Sequence, residues 1–301
     1  MTKSLSRLFR REQMAFLGRD RSAWGPHLDR VRAFLGEGLQ EADPVRPVLV
    51  LGAGSGLEVP WDLAPATTTG WDADPWSRIR TLARHRRWPP WVFEDMTGGL
   101  GELEAVARRC ASEPWSRRWR NPEQAARRLT GLLPSLTPVP RALHAWIQDH
   151  QPGSILVANV MGQFGVVAQR LAEAILGPGA FEADPERADP LADALEAWTH
   201  RALRVFLTEL RISGARLWLV HDCAVIFSGG GLDLGPWAED WRGQLRAGGP
   251  SLEVHDPLAG LRVGEQLEAC GTFQHRERWL WDLAPGQRHV VEALAWQPGP
   301  P

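Results

Sequence analysis

The chain has 301 residues, 44% hydrophobic and 23% charged, enough to bury one sizeable α/β core with elaborations. A formal net charge of -2 supplies no global pull towards nucleic acid or an anionic membrane, and no apolar run approaches the roughly 18 residues a membrane span needs. The basic N-terminus "MTKSLSRLFRREQMAFLGRDR" lacks the apolar centre of a secretion signal, and the three scattered cysteines, Cys110, Cys223 and Cys270, suggest neither a disulfide framework nor a paired-cysteine zinc site, so a bacterial-type cytoplasmic protein is expected.

Usage is skewed as in a GC-rich genome: Lys3 is the one lysine among 34 Lys and Arg residues, tyrosine is absent, and asparagine occurs only at Asn121 and Asn159. Arginine clusters therefore carry less weight than usual, and a surviving asparagine carries more.

In chain order, "GPHLDRVRAFLGEGL" places Leu28, Val31, Leu35 and Leu39 at helical spacing, an amphipathic helix in an N-terminal helical cap over residues 1–44. "PVLVLGAGSG" reads as a strand apolar on both faces that ends in a glycine turn, and "LEVPWDLA" as a short helix with Pro60 near its first turn. "TTTGWDAD" is a second strand ending at Asp72 and Asp74. "PWSRIRTLARHRR" is a helix with Ile79, Leu82 and Ala83 inward, and "PWVFEDM" a third strand ending at Asp95.

Residues 97–152 carry no convincing strand and read as a helical insertion. One helix buries Leu100, Leu103, Val106 and Cys110, and another opens on Asn121 as N-cap. "GSILVANV" is a fourth strand. A long helix follows an acidic Pro/Gly loop, with Leu191, Leu195, Trp198, Ala202, Val205 and Leu210 on its buried face, and Gly214 ends it. "ARLWLVHD" is a fifth strand, "SGGGLDLGPW" a mobile loop, and "RERWLWDL" with "RHVVEALAW" an antiparallel hairpin around "APGQ". The expected fold is α/β: a doubly wound, mostly parallel, seven-stranded sheet within a Rossmann-like domain over residues 45–296, followed by a disordered tail at 297–301.

A glycine turn between strand and helix brings backbone N–H groups to the carboxyl edge of a sheet, where a cofactor can approach closely. The dinucleotide fingerprint spaces its first and third glycines more widely than Gly52 and Gly56, which makes a nicotinamide-dependent oxidoreductase the weaker reading. Taken together, "VLVLGAGSG", "GWDAD", "FEDM" and "LVANVMGQ" make residues 48–222 resemble a class I S-adenosylmethionine-dependent methyltransferase.

That resemblance implies strand order 3-2-1-4-5-7-6 and a set of contacts to S-adenosyl-L-methionine. Gly52, Ala53, Gly54 and Gly56 would approach the methionyl part and ribose. Asp72, or Asp74 in its place, would accept from the ribose hydroxyls, Asp95 and Met96 would meet the adenine, and Asn159 would lie nearest the sulfonium and the acceptor. Each residue also has an ordinary structural alternative: a tight turn for the glycines, helix capping for the aspartates, turn closure for Asn159.

Methyl transfer needs an aligned nucleophile, exclusion of water and, for some acceptors, a base. Asn159, with Gln163 on the other side of "VMG", and His221 are the catalytic candidates, and for His221 a hydrogen-bonded structural histidine is the alternative to a base. His221 has Asp222 beside it, although consecutive strand residues point to opposite faces and only one of them can face the site. His255 and Asp256 form a similar pair with less positional support. No Asn-Pro-Pro-aromatic motif, Pro-Cys nucleophile or metal-ligand spacing is evident, so no metal is expected.

The acceptor is expected to be a small molecule. An RNA methyltransferase is the alternative, suggested by 13 arginines against 6 acids between Arg78 and Arg141 with Trp88, Trp91, Trp115 and Trp119 interleaved. A non-catalytic binding protein that keeps the fold is the other. The sequence leaves oligomeric state open.

Overall fold

A computed structural model of the chain describes residues 8–10, 21–112, 121–177, 179–181, 188–227, 235–246, 252–284 and 286–299. After helix α1 (Arg21–Gln40) come β1 (Val48–Leu51), β2 (Thr68–Trp71), α2 (Ser77–His85) and β3 (Trp91–Val92). Helices α3 (Leu100–Ser112), α4 (Pro122–Leu132) and α5 (Arg141–His150) precede β4 (Ser154–Ala158), which leads to α6 (Gln163–Leu176) and α7 (Pro190–Ile212). The last part holds β5 (Arg216–Phe227), α8 (Gly235–Arg246), β6 (Glu253–His255), α9 (Val263–Glu268), β7 (Gly271–Ala284) and β8 (Gln287–Pro298).

The sheet runs β3-β2-β1-β4-β5-β8-β7, with β6 attached to β5 off this path. Neighbours from β3 to β5 pair in parallel, whereas β8 and β7 return antiparallel. β1 and β4 are buried at every position, which is why both are apolar on alternate and adjacent residues alike. Among the described residues there are eight strands rather than the expected seven. The addition, β6, is three residues that pair with Val225, Ile226 and Phe227, because β5 continues five residues beyond Asp222 to Phe227.

Helix α1 packs on one face of the sheet through Val31, Phe34, Leu35 and Leu39, against Trp218, Trp279 and Trp281. The other face is covered by α3 to α7 and α9. The described residues of 97–152 are strand-free as expected, yet they are core rather than appendage: Leu103, Leu129, Leu133 and Leu143 are fully buried in the larger cluster. Asn121 caps α4 by accepting from Gln124 N at 3.1 Å, and Asp189 caps α7 through Leu191 N and Ala192 N. On α7 the buried stripe is rotated slightly from the expected one, since Leu203, Phe206 and Leu207 are buried and Val205 is only half-buried.

Other expectations need correction. Residues 57–64 form turns instead of a helix, because Pro60 has no N–H to give and the carbonyls of Trp61 and Ala64 accept from the Arg87 guanidinium. Helix α2 is turned over: Ile79 and Leu82 are exposed at 45% and 37%, Ala83 is exposed too, and Ser77 and Thr81 face inward. Its inner neighbour is the glycine loop, whose carbonyls need donors. Arg84 donates to Ser55 O, and His85 Nε2 to Gly56 O at 2.7 Å.

The expected disordered tail is also shorter, because β8 continues through Gln297 and Pro298 against Gly271 and Thr272, and Gly299 N donates to Cys270 O. Residues 300 and 301, the glycine-rich loop at 228–234 and most of the acidic loop (178 and 182–187) lie outside the described residues, as do Trp115 and Trp119. Among the arginines of 78–141, Arg78 donates to Pro89 O, Arg80 pairs with Asp74, and Arg108 and Arg127 pair along their own helices, so these side chains brace local structure. No helix among the described residues is long and apolar enough to cross a membrane.

Candidate functional site

A cavity of about 490 Å³ opens at the carboxyl edge of the parallel strands, where α/β sheets place their ligand crevices. Gly52, Ala53, Gly54 and Ser55 line it from the turn after β1, Asp72 and Ala73 from the end of β2, Asp95, Met96 and Thr97 from beyond β3, and Asn159 and Val160 from the end of β4. Seven of the residues singled out in the sequence thus meet in one place: Gly52, Ala53, Gly54, Asp72, Asp95, Met96 and Asn159.

The glycine turn is built for close approach. Gly52 has φ +69°, and a Cβ there would lie 2.6 Å from Val160 Cβ and 3.0 Å from Ala158 O. Gly56 also has positive φ, but it faces Thr81, Trp61 and His85 and is absent from the lining, so its role is to seat α2.

Asp72 is 8% exposed, and each of its carboxylate oxygens takes one local N–H: Gly54 N on Oδ2 at 2.8 Å and Asp74 N on Oδ1 at 2.7 Å. A carboxylate oxygen has two lone pairs, so acceptor capacity remains beyond these two N–H groups and the nearby Ser77 hydroxyl. Burial outweighs these bonds and pushes the Asp72 carboxyl up to about 6. Asp74 does not serve in its place. It is fully buried, accepts from Trp76 N and from Arg80 at 2.7 Å, and does not line the cavity.

Asp95 accepts from Thr97 N, Thr97 Oγ1 and Leu100 N, which fixes the start of α3, while burial holds its carboxyl above the usual range. Asn159 adopts φ +46°, with its N–H donated to Val220 O at 2.9 Å. It is 6% exposed and its Oδ1 has no hydrogen-bond partner, an orphaned acceptor in the cavity wall.

His221 and Asp222 separate as strand alternation requires, and Asp222 is the one in the cavity. His221 lies on the opposite face, directly across from Glu292, with its Nε2 3.6 Å from Glu292 Oε2. Glu292 also receives Arg276 and Arg278, which keeps its carboxyl below the usual range, and burial holds His221 below its ordinary value. The expectation of a base at His221 is therefore corrected: it belongs to a buried cross-strand ion cluster away from the cavity. His255 lines the mouth, but Asp256 accepts from Leu258 N in a turn.

Several lining residues had no assigned role in the sequence. His289 on β8 brings Nδ1 to 3.0 Å from Asp222 Oδ2. The ring is turned out of hydrogen-bonding alignment, leaving His289 Nδ1 and Asp222 Oδ1 without hydrogen-bond partners, and His289 Nε2 lies 3.2 Å from the Gln287 amide. A small rotation would make this an Asp–His pair able to hold a proton.

Glu58, from the loop after β1, is the acid that follows the glycine motif; its Oε1 is 4.0 Å from His27 Nε2, and His27 stacks on Trp281 at 3.9 Å. Burial raises the Glu58 carboxyl, the Asp222 charge adds to the rise, and His27 opposes it. Phe9 reaches the cavity from the helical turn at 8–10. No family model matches the chain, and no curated protein matches it.

Proposed function

We propose that the cavity binds S-adenosyl-L-methionine and that the protein is a class I methyltransferase acting on a small-molecule acceptor. The observation that carries this reading is the convergence of four successive strand ends, bearing the glycine turn, Asp72, Asp95 with Met96, and Asn159, on one cavity. Sheet order supports it as well: with the short β6 set aside, β3-β2-β1-β4-β5-β8-β7 becomes the order 3-2-1-4-5-7-6 that the resemblance implies.

The residues fit the cofactor. Asp72 retains acceptor capacity beyond its two backbone N–H bonds, and its two oxygens suit a pair of vicinal hydroxyls, a match that a single neutral acceptor lacks. Leu100, Phe164 and the Met96 side chain offer an apolar slot for a purine, with Asp95 at its edge. The orphaned Asn159 Oδ1 gains a partner from any donor N–H brought beside it. Bound there, the cofactor would supply an electrophilic methyl carbon. The chain's own contribution is to align an acceptor beyond Asn159, to exclude water with Phe9, Phe227 and Trp281, and to offer the Asp222–His289 pair for a proton.

Donor affinity should depend on pH through Asp72. Its carboxyl is neutral below about 6 in the free protein, and the hydroxyl contacts favour the ionised form. Calorimetry should show affinity falling up to about tenfold per unit as pH drops below 6, and levelling above 7. A flat profile from pH 5 to 8 would remove Asp72 from the contact.

Activity is tested by incubating the protein with methyl-labelled donor and fractionated bacterial lysate. Label in a small-molecule product, lost with Gly52→Ala, is expected. Label in RNA would replace the acceptor class, and donor binding without any labelled product would favour a non-catalytic binding protein.

A further inference from the structure

The end of the cavity formed by β5, β7 and β8 holds chemistry that donor binding leaves unused. Glu58 and Asp222 both line it, Asp222 buried on β5 and Glu58 half-buried on the loop after β1. Arg170 is the only arginine or lysine among the described lining residues, and it sits on α6 beside Val166 and Val167, on the far side next to α3. The imidazoles at this end are His255 and His289, with His27 behind Glu58. Burial raises the Glu58 carboxyl and the Asp222 charge adds to the rise, with no arginine or lysine among the described lining residues at this end.

A second observation points to a ligand. Asp222 Oδ1 and Asn159 Oδ1 belong to cavity-lining side chains more than nine-tenths buried, and neither acceptor has a hydrogen-bond partner. A buried acceptor left unsatisfied calls for a donor, and beside acids a cation that carries N–H groups supplies it. Around them, Val225, Phe227, Leu283 and the Trp281 ring give an apolar wall.

We infer that the β5–β8 end of the cavity binds a protonated amine borne on an apolar group, its N–H groups donated to Asp222 and Glu58 and its apolar body set against Val225, Phe227, Leu283 and Trp281. His289, whose Nδ1 lies 3.0 Å from Asp222 Oδ2, is the imidazole beside the bound ammonium. As the identity of the methyl acceptor, this rests on the function proposed above; as a cation site, it stands on the side chains alone.

The test uses the full chain without donor. Phenethylamine and tryptamine are titrated calorimetrically beside phenylethanol and phenylpropionate, which match them in size and differ in charge. The amines should bind at least about tenfold more tightly than the alcohol and the carboxylate. Asp222→Asn and Glu58→Gln should each weaken amine binding about tenfold and leave the alcohol unchanged, with far-UV dichroism as the check on folding. Should Asp222→Asn not fold, Glu58→Gln carries the test.

Equal binding of amine and alcohol, preference for the carboxylate, no binding by either amine, or amine affinity untouched in the folded variants overturns the inference. A parallel titration with S-adenosyl-L-methionine separates the two claims. If the donor binds and the amines do not, only the cation site falls. If the amines bind and the donor does not, only the proposed function falls.

Discussion

Gly52→Ala is expected to lower the melting temperature by on the order of 5 °C and to abolish measurable donor binding. Two costs add. At φ +69° an alanine pays about 1–2 kcal/mol for a left-handed backbone, and its Cβ would lie 2.6 Å from Val160 Cβ, an overlap of the kind that costs about 1–3 kcal/mol to relieve. The relief must come from the end of β4, since Ala158 O is 3.0 Å from the same Cβ, and that movement carries Asn159 with it. Thermal unfolding and calorimetry read the two effects separately. A variant with wild-type affinity would mean that the turn is not part of the binding site.

Asp72→Ala should weaken donor binding roughly 100-fold, the worth of two charge-assisted hydrogen bonds in a buried site. Alanine also deprives Gly54 N and Asp74 N of their acceptor, so Asp72→Asn is the sharper variant. The sign of the titration makes it so. The folded carboxyl titrates near 6 against an ordinary value of 3.8, so its contribution to stability is fully present below 3.8 and is lost as pH rises through about 6. At neutral pH the buried charge costs on the order of 3 kcal/mol, a burden typical of a functional residue rather than of a cap. Asparagine sheds that charge while keeping one acceptor, so its stability at pH 7 should stay within about 2 kcal/mol of wild type while donor affinity falls more than about tenfold. Large destabilisation with unchanged affinity would make Asp72 a structural cap.

What could be read from the sequence was whatever local physics decides. An apolar run ending in glycines is a buried strand with a turn, and Asn121 before Pro122 is a helix start, because neither depends on distant residues. The same holds for Asp72 and Asn159, which fall at strand ends. Features set by a partner elsewhere in the chain stayed hidden. Helix α2 looks amphipathic with Ile79 and Leu82 inward, yet the carbonyls of Ser55 and Gly56 need donors and turn Arg84 and His85 towards the loop.

His289 depends on register. A shift in the β5–β8 ladder between Asp222 and Ala224 keeps Asp222 and Val225 on one face, with His289 opposite Val225 and Trp281 opposite His289. No local pattern in "RHVVEALAW" encodes that pairing. His221 was misread for the same reason, since Glu292, its neighbour across the ladder, is 71 positions away in sequence.

Which cofactor the strand ends hold is tested most directly by a calorimetric titration of the purified full chain at pH 7.5 with S-adenosyl-L-methionine, with NAD as the comparison. The prediction is one-site binding of S-adenosyl-L-methionine with a Kd in the micromolar range and no detectable heat from NAD. Absence of binding at millimolar S-adenosyl-L-methionine, or tighter binding of NAD, would contradict it.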